Sequence, residues 1–450
     1  MSSRHFVIIG NGISGITFAR HLRKGDDQAR ITVISGESPY FFSRTALMYV
    51  YMGQMKWEHT QPYESHFWKK NRIDLKQAWV KTIAFESKTL VFESGETLNY
   101  DVLVLATGSK PAFFGWPGQQ LKGVQGLYSK QDLETMEAIT SQPMERAVIV
   151  GGGLIGIELA EMLTYKKIPV TFLVRENRFW EQVLPESEAD LVQKHIREHA
   201  IDLRLGTELK EILSDAQGNT RAVVTTAGEE IPCGFVGIAT GVTPNVDFLK
   251  NTALEIGKGI KVNAYFETTV PDVFAIGDCA EFEKPPGLGR RNLEQVWYTG
   301  RMHGETLAYN FCNTPVTTYQ PGVWFNSAKF FAIEYQTYGW VSPEPVDGVQ
   351  DFFWEHRDGK VSFRMSLDQE GKIVGVVNLG FRLRHEFFDR AIREKWSGEK
   401  VMQELGKGVF DPEFYAPYHL DIQAAYQRQF GGAIYPSKKS FFQKLFGASQ

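Results

Sequence analysis

The stretch "HFVIIGNGISGITFARHL", residues 5–22, decides how the rest of the chain is read. An apolar run, His5 to Ile9, has the composition of a buried strand and leads into Gly10, Asn11, Gly12, Ile13, Ser14 and Gly15. Ile16, Phe18, Ala19 and Leu22 follow at helical spacing. Strand, glycine turn and helix in this order form a dinucleotide-binding fingerprint. Gly10 makes the tight turn, Gly12 admits a pyrophosphate to the backbone, and Gly15 lets helix and strand pack closely. The positive end of the helix dipole then faces the phosphates. A second strand is expected over Ile31–Ile34, and Glu37 follows at the distance suited to a carboxylate accepting from ribose hydroxyls.

The pattern recurs in "RAVIVGGGLIGIELAEML", residues 146–163, where Gly151, Gly153 and Gly156 follow a strand over Ala147–Val150. Two such sites in one chain suit hydride relay between two cofactors. Beyond the next strand, Val170–Val174, comes "RENRFW". Counting from Gly156 as Glu37 is counted from Gly15 lands on Arg178, with Arg175 close by. Guanidinium groups suit a 2′-phosphate, so this reading favours NADPH, while Glu176 between them keeps NADH open. Two further strands end in Ala-Thr-Gly (Ala106–Gly108 and Ala239–Gly241), where small residues let the chain cross close to a bound dinucleotide. "VPDVFAIGDCAEF", residues 270–282, runs a strand into Gly277 and Asp278, whose carboxylate could accept from ribityl hydroxyls.

At 450 residues the chain exceeds one compact core, so two to four domains are expected. A net charge of −4 argues against a nucleic-acid surface. Cys233, Cys279 and Cys312 are too few and scattered for a disulfide framework, and no residues read as metal ligands. The N-terminus shows no leader, and no window reaches the roughly 18 consecutive apolar residues of a membrane span. A cytoplasmic location is the expectation.

Together these motifs, across about residues 5–325, resemble the two-dinucleotide-binding flavoproteins of the pyridine nucleotide–disulfide oxidoreductase superfamily. The resemblance implies an α/β fold with two Rossmann-like dinucleotide-binding domains and a C-terminal α+β interface domain. It places an FAD domain at 1–115 and 246–318, an inserted NAD(P)H domain at 116–245 and the interface domain at 319–450. It implies FAD contacts from Gly10, Gly12, Gly15, Glu37, Thr107, Gly108, Gly277 and Asp278. NADPH or NADH would meet Gly151, Gly153, Gly156 and Gly241, with Glu158 near the nicotinamide in a catalytic role.

Within the superfamily the chain looks closest to the ferredoxin-reductase and nitrite-reductase-flavoprotein group. "YFFSRTALMY", residues 40–49, keeps that group's Arg44 and Leu47 in register, with Thr45 and Tyr49 where proline and lysine are usual. Arg44 is thereby a candidate FAD contact. "GVWFNSAKF", residues 322–330, matches the aromatic segment opening the group's C-terminal domain, with Ala328-Lys329 replacing its Asp-Gln pair. The helix following "NLEQV" would aim its N-terminus at the flavin, with Trp297 and Trp324 as candidate walls or ordinary core aromatics. Disulfide reductases need a cysteine over the flavin; here Thr45 stands near that place and no cysteine precedes Cys233. A hydroxyl cannot form a mixed disulfide, and Cys279 reads as packing. His195, His199 and His303 occur singly and read as solvated or structural.

"DFFWEHRDGKVSFRMSLDQEGKIVGVVNLG", residues 351–380, reads as antiparallel strands with Asp358-Gly359 and Glu370-Gly371 as turns, followed by a helix through "RHEFFDRAIREKW". In relatives such a domain often mediates dimerisation, so a homodimer is expected. The tail "PSKKSFFQKLFGASQ", residues 436–450, sets Lys438, Lys439 and Lys444 among phenylalanines; packing on protein is favoured over membrane-surface contact. The expected function is FAD-dependent NAD(P)H oxidation with electrons passed to a ferredoxin-like or rubredoxin-like protein or a small molecule. The alternatives are a membrane-surface type II NADH:quinone oxidoreductase and a flavin redox sensor.

Overall fold

In the computed structural model, which describes residues 4–287, 289–410, 413 and 416–431, the chain forms two compact units. Residues 1–177 and 196–322 make the first; residues 178–195 and 323–450 make the second.

The first unit is built on two five-stranded sheets, each parallel throughout. One runs Val273–Ala275, Val102–Leu105, His5–Ile9, Arg30–Ser35, Ile73–Gln77 in spatial order. The other runs Asp202–Arg204, Val170–Leu173, Ala147–Val150, Phe235–Ile238, Val124–Gln125. In each, the fingerprint strand lies at the centre and is fully buried or nearly so, as its unbroken apolar run requires when both faces are covered; one face of the second sheet packs on the antiparallel strands Leu209–Ser214, Thr220–Thr225 and Glu230–Pro232. The register sets Ile9 against Ile34 and Leu105, so the segments holding Gly10, Glu37, Thr107 and Asp278 all leave the same carboxyl edge. That edge, where strand order reverses, is where open α/β sheets bind ligands.

The helices Ile13–Gly25 and Trp297–Cys312 pack against each other through glycine. A Cβ on Gly300 would meet Ser14 Oγ at 2.6 Å, and one on Gly304 would meet the Ser14 carbonyl oxygen at 2.5 Å. The linker helix, Lys130–Thr140, starts at a capping box in which Ser129 and Asp132 satisfy each other's backbone amides.

The second unit centres on an antiparallel sheet ordered Phe325–Phe330, Ile333–Gly339, Ile373–Leu379, Ser362–Leu367, Gln350–Glu355. The strands, both glycine turns and the helix His385–Arg393 lie as the pattern predicts. The stretch 178–195 groups with this sheet rather than with the chain around it, unlike the expected domain limits. Its anchor is Glu188, fully buried, held by the Arg364 guanidinium at 2.7 and 2.9 Å, while Asp351 takes the remaining Arg364 nitrogen at 2.8 Å.

Candidate dinucleotide sites

Both glycine loops are shaped by the same three constraints. Gly10 and Gly151 have φ of +116° and +113°, and a Cβ on either would collide with the carbonyl of Ala106 or Ala239 at 2.0 or 2.4 Å. A Cβ on Gly15 or Gly156 would meet the carbonyl oxygen of the first glycine at 2.1 or 2.4 Å. These four are glycines because protein occupies the space. Gly12 and Gly153 differ: their backbone is extended, which any residue tolerates, and a Cβ on either would meet nothing within 4 Å. Only a group lying over the helix start needs that space, so both loops fit a diphosphate.

Around the first loop the predicted residues converge. Glu37 takes both Arg44 terminal nitrogens, at 2.8 and 2.7 Å, and the Lys130 amide at 2.9 Å. Burial disfavours the Arg44 charge, but the paired Glu37 outweighs it and holds the guanidinium more firmly protonated than usual. Arg44 also lies over the Tyr128 ring, 4.4 Å from its centroid, and donates to the Tyr128 carbonyl. The Tyr128 hydroxyl accepts from the Ser109 amide at 2.9 Å and donates to Asp278 at 3.3 Å. Ser109 donates to Asp278 at 3.1 Å and accepts from Gln295 at 2.7 Å. Burial pushes the Asp278 carboxyl above the usual range despite these donors and Arg44. Thr107 is tied back to the Asn245 carbonyl, and Gly108 has φ +68° with Tyr128 against it. Tyr128 is therefore a site residue that the motifs did not reveal: a lone tyrosine before a helix cap carries no recognisable spacing.

Near the second loop, Glu158 lies on the first turns of helix Leu154–Tyr165. Desolvation, with the Glu161 carboxylate beside it, pushes its pKa up to about 7. Gly241 has φ +105°, with open space where a Cβ would stand.

Arg175 and Arg178 each meet carboxylates. Arg178 lies in the second unit, 2.5 Å from Glu344 and 3.8 Å from both Glu181 and Glu186. Arg175 is largely exposed and reaches Glu176 at 3.0 Å. Register explains the miscount. Gly10 N donates to Ile34 O and Gly151 N to Leu173 O, so these carbonyls are equivalent. Three residues beyond Ile34 stands Glu37; three beyond Leu173 stands Glu176. The second crossover is shorter than the first, and counting from glycine overshoots the carboxylate.

Trp297 opens the helix Trp297–Cys312, half-buried, with its ring edge-on to Tyr298 at 5.3 Å. Thr45 Oγ1 lies 3.0 Å from Ser43 Oγ. Cys279 is fully buried, its Sγ 3.4 Å from the Leu105 and Ile276 carbonyls, and burial raises its thiol pKa. That is a packed thiol, not a nucleophile. Among the described residues no cluster has the makings of a metal site, and no helix is long and apolar enough to cross a membrane. The tail from 436 onward lies outside the described residues.

Residues 4–304 match the family model "Pyridine nucleotide-disulphide oxidoreductase". The chain is 30% identical to rubredoxin-NAD(+) reductase of Acinetobacter baylyi, over 83% of this chain and 93% of that protein. It is 26% identical to nitrite reductase [NAD(P)H] of Bacillus subtilis over 84% of its own length, but spans only 46% of that longer relative. The solved structure of an NAD-dependent persulfide reductase from A. fulgidus shares the fold, with a TM-score of 0.81 at 23% identity over 95% of this chain and 84% of that one. Motifs, paired glycine loops and family match agree: the chain belongs to the pyridine nucleotide-disulphide oxidoreductase family.

Proposed function

We propose that the chain is an FAD-dependent oxidoreductase that takes hydride from NADH and passes electrons to a small rubredoxin-like or ferredoxin-like protein. The observation that carries this reading is the matched pair of loops in which Gly12 and Gly153 each leave open space over a helix N-terminus. We assign FAD to the loop at Gly10–Gly15, within 1–115 and 246–318, and the nicotinamide nucleotide to the loop at Gly151–Gly156, within 116–245. Bound FAD would supply the chemistry of accepting one hydride and releasing its two electrons onward. The chain contributes binding and orientation: two helix dipoles against diphosphates, Asp278 at the Gly277 turn, and Glu37 at the end of the second strand. Several curated relatives are named for a rubredoxin or ferredoxin acceptor, which supports a redox-protein partner.

NADH replaces NADPH in this proposal because Glu176, not Arg178, stands where Glu37 stands in the first loop. A carboxylate there accepts from a ribose 2′-hydroxyl and repels a 2′-phosphate. Anaerobic titration of the purified flavoprotein should bleach the flavin with NADH, and kcat/KM for NADH should exceed that for NADPH at least about tenfold. Glu176→Ser should narrow that ratio, whereas Arg178→Ala should leave it unchanged. Absence of bleaching by either nucleotide would falsify the enzyme reading. Reoxidation by rubredoxin or ferredoxin, compared with a quinone in lipid and with oxygen, identifies the acceptor.

Glu158 can hold or release a proton near neutrality. The rate of flavin reduction by NADH should therefore change with an apparent pKa of about 7, and Glu158→Gln should flatten that profile between pH 6 and 8. A profile unchanged by the substitution would remove Glu158 from the reaction.

A further inference from the structure

His303 lies between Gly300 and Gly304 on the helix Trp297–Cys312 and is fully buried. The two glycines draw that helix against Ser14 and set the imidazole under the Gly277–Asp278 turn. The Gly277 amide donates to His303 Nδ1 at 3.1 Å. Gly277 itself has φ +75°, and a Cβ there would strike Ser14 Oγ at 2.2 Å, so neither its conformation nor its surroundings leave slack.

An accepting Nδ1 carries no proton, so the imidazole is neutral and its proton sits on Nε2. That nitrogen is buried with no hydrogen-bond partner, and the imidazole packs against the rings of Phe266, Phe282 and Tyr319 at centroid distances of 5.0, 5.4 and 4.5 Å. Burial, with the Arg290 guanidinium adding to it, holds the ring pKa down at about 3. A side chain present only to fill this aromatic box would be cheaper as leucine or methionine, because an orphaned buried donor costs free energy. What histidine adds is an acceptor for one backbone amide.

We propose that His303 is a positioning residue that holds the Gly277–Asp278 turn in the conformation that binds FAD. The proposal rests on the assignment of FAD to the first loop. Asp278 follows directly on the amide that His303 holds, and its carboxylate carries the Ser109 and Tyr128 contacts. Loss of the acceptor leaves the Gly277 amide unpaired and free to swing the turn away from the ribityl chain.

The test is FAD release from the holoprotein, followed by flavin fluorescence, together with the thermal transition of the flavin-free protein. His303→Leu should weaken FAD binding about tenfold while the flavin-free transition stays unchanged or rises, since the orphaned Nε2 is gone. His303→Gln, whose side-chain oxygen can accept from Gly277, should recover most of the affinity. His303→Met serves where leucine impairs folding. Equal FAD affinity in wild type and His303→Leu overturns the proposal. So does an equal loss in the leucine and glutamine variants accompanied by a lowered flavin-free transition, which marks a packing role alone. A wild-type protein that binds no FAD fails the site assignment itself, and the proposal falls with it.

Discussion

Gly12→Val gives a folded protein without flavin. The substitution suits the backbone, because Gly12 is extended at φ −71° and ψ −177°. It also meets no protein atom, since a Cβ there has nothing within 4 Å. The isopropyl group instead fills the space over the helix N-terminus that a pyrophosphate would occupy. FAD affinity should fall about a hundredfold, while the thermal transition of the flavin-free protein stays within a degree or two of wild type. Gly15→Ala provides the contrast. Its Cβ falls 2.1 Å from the Gly10 carbonyl oxygen and 3.0 Å from Ile8, so it should damage the fold itself. If Gly12→Val retains flavin at wild-type affinity, the loop does not hold the diphosphate.

The second large effect concerns stability. Arg364→Leu strips the fully buried Glu188 of the guanidinium that neutralises it. Breaking a buried pair from one side costs about 3–5 kcal/mol, seen as a lower urea midpoint for the unit containing 178–195. The sign of its pH dependence follows from the carboxylate. Desolvation raises the Glu188 pKa even with Arg364 in place, and the substitution removes the main opposing influence. A buried carboxyl with a raised pKa costs stability as pH rises through the usual carboxylate range and above it. The deficit should therefore grow toward neutral pH and shrink in acid. Pairing Arg364→Leu with Glu188→Leu should restore most of the loss, because the fully buried charge is gone and Asp351, which also loses Arg364, is partly exposed and keeps the Ser366 hydroxyl. A single variant as stable as wild type at pH 7 would show that Glu188 is not held as an anion.

Much of this architecture is local and so was readable in advance. Glycine turns, unbroken apolar strands and helical spacing lie within stretches of about twenty residues, and they located both loops and the antiparallel sheet. What lies beyond the local pattern shares one cause, which is dependence on long-range pairing. Arg178 was reached by counting through a crossover whose length differs between the copies; only the strand register shows that Glu176 is the counterpart of Glu37. The grouping of 178–195 with the second unit depends on Glu188 meeting Arg364 across 176 positions of sequence. Tyr128 carries no motif for the same reason: it is a lone side chain whose contact with Asp278 spans 150 positions.

The glycine contact between the two helices has a metrical consequence. One helix is capped at Gly12 and the other at Val296, and the proposed FAD assignment would put that second start at the isoalloxazine end. Because Gly304 faces the Ser14 carbonyl directly and Gly300 leaves room only for the short Ser14 hydroxyl, the separation of the two starts has little side chain in it to yield. The pair therefore acts as a length gauge. A flavin dinucleotide would span both starts and reach Glu37 beyond the first; a flavin mononucleotide, lacking the AMP moiety, would forfeit Glu37 and whatever affinity it contributes.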